Sequence, residues 1–90
     1  MTRYLKDPEA TLDYKFNWLA WLDGDTIATK VVTIDDGATV ESSTITDTNT
    51  SVTAFVSGGT VGRSYVLSCK ITTAGGRTDE RSLTILVVER

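Results

Sequence analysis

Apolar and polar residues alternate with a period of two through most of this chain, and that spacing restricts it to β-structure. Leu12, Tyr14, Phe16 and Trp18 are separated by Asp13, Lys15 and Asn17. Val52, Ala54 and Val56 alternate with Thr53, Phe55 and Ser57, and Tyr65, Leu67, Cys69 and Ile71 with Val66, Ser68 and Lys70. Leu83, Ile85 and Val87 repeat the pattern near the C-terminus. A weaker strand rich in threonine and serine covers Thr39 to Thr46, and in the strand from Thr26 to Ile34 the facing of Ile27, Val31 and Val32 is open. Turn chemistry separates the runs at Asp23-Gly24-Asp25, Asp35-Asp36-Gly37, Asp47 to Thr50, Gly58-Gly59 and Ala74-Gly75-Gly76. Nowhere does a helical period last beyond one turn. This rhythm predicts an all-β, immunoglobulin-like β-sandwich of about six to seven antiparallel strands. The expected core is Leu12, Tyr14, Phe16, Leu67, Cys69, Ile71, Leu83 and Ile85.

A chain of 90 residues holds one thin core and leaves no space for separate cofactor and substrate domains. We expect an N-terminal arm over residues 1–9, either loose or lying along a sheet edge, and a sandwich over residues 10–90. The net charge of −3 comes without a basic stripe, so nucleic acid is not an expected partner. No apolar run is long enough to span a bilayer, and the polar start does not read as a signal peptide. The single cysteine, Cys69, is expected to be a small buried apolar residue of a protein that folds in a reducing cytoplasm.

With no histidine in the chain, the commonest general base and zinc ligand are both missing. Gly58-Gly59-Thr60-Val61-Gly62 is rich in glycine but lacks the lysine of a phosphate loop and leads into a strand, so it reads as a turn. The acidic pairs Asp23/Asp25, Asp35/Asp36 and Asp79/Glu80 read as turn formers in preference to a calcium or acid–base site. No catalytic residue, cofactor or metal is expected. The aromatic segment is more telling. A small sandwich will not bury both Trp18 and Trp21. Trp18 continues the inward face of its strand, which leaves Trp21 and Leu22 as a rim for a partner. The arm adds Tyr4 and Leu5, which can fill pockets on a partner that pairs along the sheet edge. A carbohydrate-binding or adhesin-type module, with Trp21 and Tyr4 stacking on sugar, is the alternative.

Lys6-Asp7-Pro8, Leu12-Asp13-Tyr14, Trp18 and Gly24-Asp25-Thr26-Ile27 resemble the opening of the phage fiber-tail adaptor family. Ser57-Gly58-Gly59-Thr60, Gly62, Tyr65 and the stretch from Ile71 to Ser82 resemble its closing half, so the likeness covers nearly the whole chain. A departure lies at Val31-Val32, where the family pattern tends to carry an aromatic. The resemblance implies a virion component, made in the host cytoplasm, that joins a fibre or receptor-binding part to the tail. It also implies phage tail and fibre proteins as partners, with many copies in a symmetric assembly.

Overall fold

The computed structural model describes residues 2–89, with the side chains from Tyr4 onward. Its elements are β1 (Thr2–Lys6), β2 (Leu12–Asn17), α1 (Leu19–Leu22), β3 (Ile27–Ile34), β4 (Ala38–Thr46), β5 (Ser51–Gly58), β6 (Ser64–Thr73) and β7 (Thr78–Val87). The strands form two sheets, a four-stranded β1-β7-β6-β3 and a three-stranded β2-β5-β4. All pairings are antiparallel except β1 on β7, which is parallel with Tyr4 opposite Ile85. The chain is thus mostly β in two sheets. Within the expected arm, Thr2–Lys6 form β1 and pair along the β7 edge.

Period-two alternation turns one face of each sheet toward a shared core. Phe16, Val52, Ala54 and Val56 come from one sheet, and Leu67, Cys69, Ile71, Leu83 and Ile85 from the other. Burial pushes the Cys69 thiol up to about 11, so it stays protonated and behaves as a small apolar side chain. Leu12 departs from the expected core: it has the inward parity of Tyr14 but is 37% exposed. It opens an edge strand and has a neighbouring strand on one side only, at Val56.

Two irregularities explain the strands whose facing was hard to read. The β3–β6 register shifts between Ile27 and Thr29, and an extra residue in a strand flips every side chain beyond it. Ile27 and Val32 therefore both reach the core although five positions apart, while Val31 is exposed. A second shift, between Val40 and Ser42, does the same in β4, where Val40 and Ile45 both pack on the core.

Candidate functional site

Segment 18–25 decides what the aromatic residues can do. After Asn17 the chain leaves the strand for a single helical turn, in which Leu22 N–H donates to the Trp18 carbonyl at 2.9 Å. Residues four apart in a helix share a face, so Trp18 and Leu22 both turn inward and Trp18 is fully buried. The expectation that Leu22 faces a partner is corrected here. Leu22 is 1% exposed and belongs to the core. Trp21 falls at the rim, half-buried and packed against the core, while Leu19 projects into solvent at 60% exposure.

Two arginines clamp this turn. Arg77 lies over the Trp21 ring at 4.3 Å and donates to the Leu22 and Trp21 carbonyls at 2.7 and 3.3 Å. The Trp21 carbonyl is one that a helix end leaves without an intrahelical partner, and the Leu22 carbonyl also accepts the Asp25 amide at 3.0 Å. Arg81 sits 5.0 Å from the Trp18 ring and donates to the Asn17 carbonyl at 2.7 Å. Trp18 Nε1–H donates to Asp79 Oδ2 at 2.9 Å, and Asp79 pairs with Arg81 at 3.5 Å. Cation–π contacts of this kind add about 0.5–2 kcal/mol each. Asp25 accepts from the Thr26 and Gly75 amides and meets Arg77 at 3.4 Å. Hydrogen bonding to Thr73 first, then to Thr26, Gly75 and Arg77, holds its carboxyl below the usual carboxylate range. Sequence reasoning missed Arg77 and Arg81. A signal existed: Asp79 and Arg81 continue the inward parity of Leu83, Ile85 and Val87 along β7, so the same face that covers the core also covers Trp18.

Tyr4 and Leu5 occupy a different place, on the edge strand β1. They are 40% and 48% exposed and point to opposite faces of the sheet, as neighbours in a strand must. The Tyr4 ring meets Tyr14 of β2 edge-on, with centroids 5.3 Å apart. Lys6 anchors the strand. Its side chain is fully buried, and Nζ donates to the Asp7 and Gly58 carbonyls, each at 2.8 Å. Desolvation lowers the Lys6 pKa, opposed by the nearby Asp7 charge. The bond to Gly58 ties β1 to the end of β5 in the other sheet, and Val88 N–H donates to the Lys6 carbonyl at 2.9 Å. The arrangement offers surface rather than a cleft. No pocket opens and no group of three or more His, Cys, Asp or Glu is placed to hold a metal, among the described residues.

At the far end of β5 the chain crosses to β6 through Gly58-Gly59-Thr60. The Tyr65 hydroxyl accepts the Thr60 amide at 2.9 Å, and the Tyr65 ring lies in the fold beside Gly37 and Gly59. At Gly59 φ is +101° and a Cβ would stand 2.6 Å from Val87 Cγ2, so only glycine fits. The glycine-rich stretch is therefore a turn packed on a tyrosine.

No curated protein matches the chain. The family model described as Podophage GP4 fiber-tail adaptor protein gp77 matches residues 6–86, nearly the full length of the 90-residue sequence. The match spans the core strands, the clamped turn and the Tyr65 corner, and the chain belongs to this family of podophage fiber-tail adaptors.

Proposed function

We propose that this protein is a non-catalytic tail component that joins a fibre or other receptor-binding part to a podophage tail, and that it docks through the β1 edge and Trp21. The family match over residues 6–86 carries the adaptor reading. The choice of surface rests on Tyr4 and Leu5, large apolar side chains exposed on a strand with one open side. An open strand edge offers main-chain donors and acceptors, and flanking apolar side chains supply selectivity. Trp21 serves as a second anchor at the rim beside α1, where Arg77 over its ring holds it in place. Many copies around the tail axis would repeat one modest contact and hold by avidity.

We read the two sheets as an immunoglobulin-like sandwich. Support comes from the split into four and three strands facing one core and from Tyr65. That residue is second in β6 and bonds back to the amide of Thr60, as a tyrosine corner does. The function is tested by incubating purified chain with tails from virions made without it, and measuring fibre attachment. Leu5→Asp and Trp21→Ala should each weaken capture by about tenfold or more with the fold intact, the loss expected of an interface anchor. Capture unchanged in both variants would move the interface to another face.

A further inference from the structure

Tyr14 stands in the middle of β2, 5% exposed, and its hydroxyl has no hydrogen-bond partner within the described residues. Buried donors are almost always paired. The other exception among the described residues is the Ser51 hydroxyl, on the central strand β5 and away from any sheet edge, while the remaining buried donors near the edges and the turn are satisfied. Trp18 Nε1 has Asp79, Lys6 Nζ has two carbonyls, and the Tyr65 hydroxyl has the Thr60 amide. The side chain beside the unpaired phenol is Tyr4, which belongs to the other sheet. β1 and β2 are the edge strands of their respective sheets, and the contact between the two rings shows that these edges lie along one seam. The opposite edges, β3 and β4, each carry a register shift, a device that blunts an edge against strand addition. β1 pairs with β7 in continuous register from Thr2 to Lys6. The regular edge and the unpaired hydroxyl thus occur together.

We propose that a segment of the partner protein adds as an extended strand along β1 and supplies a main-chain carbonyl that accepts the Tyr14 hydroxyl proton, with Tyr4 swinging aside to admit it. This deepens, and rests on, the tail-docking reading above. Tyr4 is free to move on its solvent side, and exposed side chains change rotamer within nanoseconds. Burial first, then the Asp13 carboxylate and the Tyr4 phenol, push the Tyr14 hydroxyl above its ordinary pKa, so it is a donor at neutral pH. The same Asp13 charge disfavours an anionic acceptor and selects a neutral carbonyl.

The test compares wild-type chain with Tyr14→Phe for binding to tails from virions made without this protein, alongside melting curves. Tyr14→Phe should bind about tenfold more weakly, as loss of one hydrogen bond implies. Its melting temperature should be unchanged or higher, since the hydroxyl it loses has no partner in the free chain. Equal binding of the two proteins overturns the proposal while leaving tail docking standing. A large drop in melting temperature overturns it as well, by revealing an internal partner for the hydroxyl. Failure of the wild-type chain to bind tails at all refutes the docking reading, and this contact with it.

Discussion

Asp47, Thr48 and Asn49 carry the chain from β4 into β5 with φ values of 56°, 56° and 62°, without a glycine among them. Aspartate and asparagine tolerate this left-handed region, whereas a β-branched residue is strained there. The turn holds its shape because other parts of the fold bind it. Ile27 N–H donates to the Asn49 carbonyl at 2.8 Å and Trp18 N–H to the Thr50 carbonyl at 3.0 Å. Lys15 pairs with Asp47 at 2.6 Å, an exposed contact worth little alone. Replacing Thr48 by glycine removes the clashing Cβ at the cost of a more flexible unfolded chain. We expect a net gain of about 0.5–1 kcal/mol, read from the midpoint of urea unfolding. A loss of stability would show that the Thr48 side chain makes a contact that outweighs its strain.

Among the elements, β6 was the most legible from sequence: Leu67, Cys69 and Ile71 lie on the buried face that alternation assigns them, because a central strand has neighbours on both sides and little freedom to shift. β5 alternates as cleanly, but the expected core left out Val52, Ala54 and Val56, which are all fully buried; in a strand that carries Phe55 on the opposite face, alternation alone does not say which face is inward. Leu67→Ala and Ile71→Ala should each cost about 2–5 kcal/mol, measured by denaturant unfolding. A cost below about 1 kcal/mol would mean that the two sheets close over the gap. Legibility declined toward the edges. The extra residues in β3 and β4 leave no mark in a two-residue period until the partner strand is known. The arm has no alternation to read; its residues Thr2–Lys6 pair with residues 83–87, and Lys6 reaches Gly58 of the other sheet, 52 positions away. At the candidate site, the exposure of Tyr4 and Leu5 followed from a polar segment with few apolar neighbours. The burial of Leu22 did not, because it required knowing that α1 closes after Trp18 rather than continuing as strand. The clamp over Trp18 and Trp21 was hidden for the same reason: Arg77 and Arg81 act across 55 to 64 positions of sequence.

At the scale of the molecule, extents of 42 × 20 × 19 Å make a rod with two ends fastened by different sets of side chains. At the end that holds α1, Asp25 binds the Thr26 and Gly75 amides and Asp47 pairs with Lys15. At the other end, the Tyr65 hydroxyl secures the Thr60 amide, and Asp35 accepts the Val66 amide. Hydrogen bonds lower both carboxyl pKa values in the folded chain, led by Thr73 for Asp25 and by Lys15 for Asp47. A carboxyl with a depressed folded pKa contributes stability that is complete above its unfolded value, near 3.8 for both, and that is lost as pH falls through the folded one. A phenol that donates or accepts as a neutral group does not titrate in that range. Acid should therefore loosen the α1 end first. Hydrogen exchange followed from pH 7 down through the carboxylate range should show early loss of protection at the Thr26 and Gly75 amides, once corrected for the intrinsic pH dependence of exchange, while Thr60 keeps its protection until global unfolding. Asp25→Ala, which removes the Oδ1 that accepts both amides, should bring that early loss to neutral pH. Simultaneous loss at all three amides would mean that the rod unfolds as one unit and that the carboxylates do not set the stability of one end.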